Sequence, residues 1–309
     1  MTFRHQTLTF PSSDGNHNLN AEIYEPNDCK PVGVVQLSHG MADYVGRYRE
    51  LAEFLTQNGY IFAGHCHLGH GKGVLDKSEL GFFAKRGGDK LVISDLGKMN
   101  AILHARYPDL PVYLLGHSMG SFIARIYTVR HPDTVKGLII HGTGGPKRAL
   151  VFGKALVAAL SLFCGKKHRS PFVKSLTSKG YNSKFPKEEG ENAWLTRDGK
   201  IAGAKALDEY ANFPFTLAGY ADLFRFVGKS NSKKWFNSYP KNLPTLIISG
   251  DMDPVGGFGE GVKDVYQRLI DGGNTCLTFK LYEGARHELF NEINRQEVFS
   301  DILTWLRRI

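Results

Sequence analysis

The chain is poor in cysteine. Its 309 residues include four, Cys29, Cys66, Cys164 and Cys276, with no paired spacing. No disulfide framework or cysteine-rich metal cluster can be read from such scatter, which suits a reducing compartment. Long apolar runs are also missing. The longest stretch, Ala149 to Cys164, is interrupted by Lys154 and falls short of the roughly 20 apolar residues that span a bilayer. The amino-terminal MTFRHQTLTF has neither an apolar core nor a cleavage pattern, so no signal peptide is expected. A soluble, cytoplasmic protein is the resulting expectation. There is no internal repeat, no low-complexity segment and no nucleic-acid module with interleaved aromatics, so nucleic acid is not an expected partner.

What remains is an ordinary globular composition, 42% hydrophobic and 22% charged, in a chain long enough for a core that needs neither disulfides nor metal. The net charge is +9. Such a surface favours anionic partners, although a solvated basic surface is the simplest reading. The tightest basic cluster is Lys166, Lys167, His168 and Arg169, directly after the apolar stretch. That placement suits peripheral contact with an anionic lipid surface.

Strand-like runs alternate with helical ones. Strands are expected at Gln6–Phe10, Leu19–Tyr24, Val32–Ser38, Tyr60–Gly64, Pro111–Leu115, Val135–His141, Pro244–Ser249 and Cys276–Tyr282. Several are continuous apolar runs, the signature of parallel strands covered on both faces. Helices with a 3.6-residue period are expected at Arg47–Gln57, Leu91–Arg106, Met119–His131, Val262–Ile270 and Val298–Ile309. The alternation predicts an α/β fold with a mostly parallel, doubly wound, eight-stranded sheet. One spacing is abnormal. The strand ending near His141 and the one starting at Pro244 lie about 100 residues apart, where a crossover needs roughly 30. The excess is rich in aromatics, from Phe152 to Trp235, unlike a solvated linker. We expect an inserted helical cap over residues 145–240, seated on the carboxyl ends of the strands, between core segments 1–144 and 241–309. Ligands bind at that edge of an open α/β sheet.

Gly116-His117-Ser118-Met119-Gly120 fits G-x-S-x-G, follows an apolar strand and opens an amphipathic helix. That is the context of a nucleophile elbow, in which glycines permit the sharp turn and close packing. A serine hydroxyl needs a base, and the partners are expected in the order Ser, acid, His. After PTLIISG, Asp251 and Asp253 compete. Asp253 is favoured by its third place after Gly250 and by Pro254 beyond it, with Asp251 left as a loop or capping residue. His287 follows the last strand. Ser118 would attack, His287 would carry the proton, and Asp253 would orient the imidazole. Backbone N–H groups of Met119 and Met41 are expected to bind the oxyanion. His39, Gly40, Gly116, His117 and Gly120 would support the elbow and the oxyanion loop.

The segments LSHGMADYVGRYRELAEFL, GHGKG, GHSMGS, SGDMDPV and EGARHELFNE resemble the monoacylglycerol lipase and lysophospholipase branch of α/β-hydrolases, of the serine aminopeptidase S33 type. The similarity covers most of residues 30 to 142 and 243 to 309. It implies a cofactor-independent carboxylic ester hydrolase acting on a lipid-like small molecule. It assigns Ser118, Asp253 and His287 as the triad, with Met41 and Met119 as oxyanion donors. Two positions depart from the pattern: Cys66 stands where the family usually has aspartate, and Gly73 replaces a serine. The segment from His65 to Gly73 holds three histidines and a cysteine, which invites a zinc reading. No distant partner cluster accompanies it, and a structural loop role is preferred, with no metal site expected. Two other functions use the same chain. The triad could serve thioester, acyl-transfer or aminopeptidase chemistry, the last drawing on acidic cap residues Glu188, Glu189, Glu191, Asp208 and Glu209. Alternatively, the fold could be a non-catalytic small-molecule binder.

Overall fold

The computed structural model describes residues 3–146 and 149–309. The strands are β1 (Phe3–Pro11), β2 (Asn18–Pro26), β3 (Gly33–Ser38), β4 (Tyr60–His65), β5 (Val112–His117), β6 (Gly137–His141), β7 (Thr245–Gly250) and β8 (Leu277–Tyr282). They form one sheet in the order β1-β2-β4-β3-β5-β6-β7-β8. β1 pairs antiparallel with β2, and β2 with β4. The rest are parallel.

Helices cover both faces, and alternate strand residues serve opposite layers. Leu114, Leu138 and Ile140 join the layer under α2 (Gly88–Arg106), α3 (Met119–Arg130) and α9 (Glu260–Asp271). Leu115, Ile139 and Ile248 join the layer under α1 (Arg49–Gln57) and α10 (Arg295–Arg308). This two-sided burial makes the central strands read as unbroken apolar runs.

Between β6 and β7 lie α4 (Leu150–Cys164), α5 (Pro171–Thr177), α6 (Gly199–Leu207), α7 (Leu217–Ser230) and α8 (Lys233–Ser238). α7 packs on α2 and α3, α8 packs on α3, and α4 lies on α7. The second half of the insertion is therefore continuous with the helical layer of the body.

A buried arginine fastens that junction. Arg125 of α3 is fully buried and meets no carboxylate among the described residues. It donates to Thr143 Oγ1 at 3.2 Å, to the Ser230 carbonyl at 2.5 Å and to Asn231 Oδ1 at 3.1 Å. Its guanidinium lies 4.3 Å from the centre of the Trp235 ring, whose Nε1–H donates to the Arg125 carbonyl at 2.7 Å. The positive charge sits at the carboxyl end of α7, where the helix dipole favours it. Arg125→Met would leave the Ser230 carbonyl without its donor. We expect a loss of about 3 kcal/mol, read as a lower midpoint in urea unfolding.

Candidate active site

The parallel strands deliver the site to their carboxyl edge. β5 ends at His117, and Ser118 turns the chain into α3 with φ 52° and ψ −119°. The turn needs glycine on both sides. A Cβ on Gly116 would lie 2.6 Å from the Gly120 carbonyl oxygen, and one on Gly120 would lie 1.9 Å from that of Ser38. Backbone cannot yield as a flexible side chain would, so these glycines set how closely α3 approaches β3 and β5.

Ser118, His287 and Asp253 come together. His287 Nε2 is 2.9 Å from Ser118 Oγ, and His287 Nδ1 is 2.9 Å from Asp253 Oδ2. Asp253 is fully buried and also accepts from the Val255 N–H at 2.8 Å and Ser249 Oγ at 3.2 Å. Burial raises its pKa, but His287 and the Val255 N–H outweigh burial and hold the carboxyl below the ordinary aspartate value. Asp251 points elsewhere, and its buried Oδ1 has no partner.

The loop carrying His39, Gly40 and Met41 lies against the elbow. A Cβ on Gly40 would sit 3.4 Å from Ser118 Cβ and 3.1 Å from His117 Cδ2. Among the described residues, the N–H groups of Met41 and Met119 donate to no other protein group, as free oxyanion donors must. Neutral histidines shape this loop. His39 Nε2 accepts from the His67 N–H at 2.9 Å, leaving Nδ1–H for the Gly40 carbonyl at 2.9 Å. His70 Nε2 accepts from the Ala42 N–H at 3.3 Å and Nδ1 faces the Leu68 carbonyl at 3.2 Å. Burial lowers both pKa values, His70 to about 3. Beneath the elbow, His141 Nε2 accepts from the Leu289 N–H at 3.2 Å. This orients its Nδ1–H toward His117 Nδ1, 2.9 Å away. Burial lowers both of these rings as well. Among the described residues, no three His, Cys, Asp or Glu side chains stand where they could hold one ion. Cys66 packs in the apolar layer instead, its thiol pushed up by burial to about 12.

Behind His287 lies a charge network that motif reading missed. Glu288 is buried. It takes Arg47 NH2 at 2.7 Å and NH1 at 3.2 Å, and Lys205 Nζ of α6 at 2.6 Å. Arg47 NH1 also reaches Asp43 Oδ1 at 2.9 Å, and Asp43 Oδ2 accepts from Tyr48 OH at 2.6 Å. Burial raises both carboxyls, yet Arg47 and Lys205 bring them below their usual range. Each of these residues is ordinary in sequence, and only tertiary folding gathers them. The insertion also reaches the histidine itself. The Trp194 ring centre is 5.1 Å from that of His287. His287 N–H and Glu288 N–H donate to the Trp194 and Leu195 carbonyls at 3.3 and 2.7 Å.

Gly120→Ala drives a methyl into the Ser38 carbonyl, and we expect a loss of about 3 kcal/mol. Urea unfolding checks it, alongside loss of Ser118 labelling by an alkyl fluorophosphonate.

Comparison with known proteins agrees with this architecture. A family model described as serine aminopeptidase, S33, matches residues 29–294. The monoglyceride lipase homolog of monkeypox virus is 29% identical over 286 residues, covering 89% of this chain and 90% of that protein. The monoacylglycerol lipase of Mycolicibacterium smegmatis (strain ATCC 700084 / mc(2)155) is 25% identical, covering 92% and 91%. Among solved structures, a highly thermostable carboxyl esterase from Bacillus coagulans superposes with a TM-score of 0.92 at 30% identity, covering 100% of this chain and 99% of that one. With its eight-stranded, mostly parallel sheet and its match across nearly the whole length, the chain belongs to the serine aminopeptidase S33 family of α/β-hydrolases.

Proposed function

We propose that the protein is a serine carboxylic ester hydrolase for single-chain acyl esters, with monoacylglycerols and lysophospholipids as the substrate class. The observation that carries this reading is the continuous line from Asp253 through His287 to Ser118, with both links at 2.9 Å. Ser118 Oγ attacks the ester carbonyl while His287 Nε2 takes its proton. The carbonyl oxygen becomes an oxyanion received by the Met41 and Met119 N–H groups. Collapse breaks the bond to the alcohol, which leaves with the proton from His287 and an acyl group on Ser118. Water, deprotonated by His287, then releases the acid and restores the serine. Asp253 stays ionised throughout and stabilises the imidazolium.

The substrate class rests on the monoglyceride lipases that the chain resembles. Aminopeptidase chemistry would need free carboxylates for a substrate amine. Three acidic residues of the insertion are already engaged: Glu189 with Arg286, Asp208 with Tyr44 OH, and Glu209 with Lys77. We take α4–α6 as the cap proper, because α7 and α8 are built into the body.

The cap also supports peripheral lipid contact. On α4, Phe152, Leu162 and Phe163 are 79%, 85% and 88% exposed. Beyond its end, Lys166 Nζ donates to the Lys85 carbonyl at 2.7 Å, bringing exposed Lys85 and Arg86 beside Lys166 and Lys167. Arg169 instead turns inward to the Ser78 and Leu80 carbonyls. No helix among the described residues is long and apolar enough to cross a membrane, so this apolar face with its basic edge would lie on a lipid surface.

On matched substrates, kcat/KM for a monoacylglycerol should exceed that for an aminoacyl anilide by at least about 100-fold; the reverse order would overturn the ester reading. Asp253→Asn should lower kcat by about 10⁴-fold, whereas Asp251→Asn should change it by less than about tenfold. For the lipid contact, the double substitution Phe152→Glu, Phe163→Glu should reduce co-sedimentation with phosphatidylglycerol vesicles by at least about tenfold. Hydrolysis of a water-soluble short-chain ester should be retained.

A further inference from the structure

The ester mechanism makes no use of Lys205, a cation that the cap sends to Glu288, the residue after His287. α6 has little apolar attachment: Ala202 is its buried residue, and Leu207 is 90% exposed. Polar contacts hold the helix to the body at both ends: Arg197 meets Glu292 at 2.8 Å and Asp198 meets Arg295 at 3.8 Å before its start, and Lys205 and Asp208 act at its carboxyl end. Lys205 Nζ meets Glu288 at 2.6 Å, and Asp208 just beyond the helix accepts from Tyr44 OH at 2.8 Å. Glu288 follows His287 directly, and Tyr44 follows the oxyanion loop. Asp43 completes the link to that loop, its Oδ2 lying 3.4 Å from the Gly40 N–H.

We propose that Lys205 is a positioning residue: it seats α6 on Glu288 and makes the buried charge cluster behind His287 neutral. This rests on the reading of Ser118, His287 and Asp253 as the catalytic residues. With Lys205 in place, two carboxylates, Asp43 and Glu288, face two cations, Arg47 and Lys205. Without it, one negative charge is uncompensated on the loop residue that follows His287. Other titratable groups around His287 do not offset that charge. His117 from β5 and His141 from β6 are kept neutral by burial, and so is Tyr181 of the cap. Asp253 is the constant partner on the far ring nitrogen, and the neighbouring Arg286 is paired with Glu189. The Lys205 contact would thereby couple the seating of the α6 carboxyl end to the charge balance next to His287, and losing it would favour a protonated imidazole.

The test is the pH profile of kcat/KM on a water-soluble short-chain ester for four variants, each checked for folding by thermal unfolding. Lys205→Met should move the acid limb to higher pH by about half to one unit. Glu288→Gln, which leaves one excess positive charge, should move it to lower pH. The double variant is neutral again and should return the limb to its wild-type position, and Lys205→Arg should preserve it. If Lys205→Met does not fold, Lys205→Gln carries the same charge change and the same expected shift. Unmoved limbs in folded variants, or shifts of the same sign for Lys205→Met and Glu288→Gln, would overturn the proposal. If the wild-type protein neither hydrolyses the ester nor reacts with a fluorophosphonate at Ser118, the catalytic reading falls and this proposal with it.

Discussion

Ser118 holds a backbone conformation that few L-residues adopt, and the rest of the site is arranged around keeping it there. A residue at such a φ costs of order 1–3 kcal/mol, and the surrounding packing must supply it. The close contact of Gly120 with the Ser38 carbonyl locks α3 against β3, and Gly116 lets β5 pass beneath. Among the described residues, the other non-glycine residues at positive φ are Ala42 and Phe258. The first adjoins Met41. The second donates its N–H to the Asp253 carbonyl at 2.7 Å. Backbone strain is thus concentrated in the three loops that carry Ser118, Met41 and Asp253.

A second constraint is electrostatic. The carboxyl edge of the sheet is crowded with polar groups that are almost wholly buried, and burial is tolerated in two ways. The histidines beneath the elbow and oxyanion loop stay neutral and act as fixed donors and acceptors. The ions are paired: Asp43 and Glu288 are charged because Arg47 and Lys205 face them. Each charge of this cluster thus faces an opposite one, as burial of ions requires.

Much of this was legible in the chain. All eight strands were, because two-sided burial writes continuous apolar runs. β1 is longer than expected, Phe3–Pro11 rather than Gln6–Phe10, because antiparallel pairing with β2 extends past the buried residues. Two helices start before their apolar periodicity begins. α2 begins at Gly88 and α10 at Arg295, before the first strongly periodic apolar residue. At the other end of the scale, α1 begins at Arg49, since residues Val45–Tyr48 form a 3₁₀ turn. The meeting of Ser118, His287 and Asp253 was foreshadowed by motif and strand placement, and Asp253 rather than Asp251 is the aspartate that reaches His287. The ion network was not visible, since Asp43 and Arg47, Lys205, and Glu288 belong to three separate stretches that only tertiary folding brings together. For the same reason, the packing of α7 and α8 into the body escaped periodicity.

In the proposed mechanism Ser118 carries the acyl group during turnover. It is tested most directly by rapid-quench mass spectrometry during hydrolysis of a p-nitrophenyl acyl ester. A burst of p-nitrophenol stoichiometric with enzyme is expected, with an acyl mass increment on the peptide containing Ser118. Linear release from the first turnover with no adduct in the quenched protein, or an adduct on another residue, would contradict it.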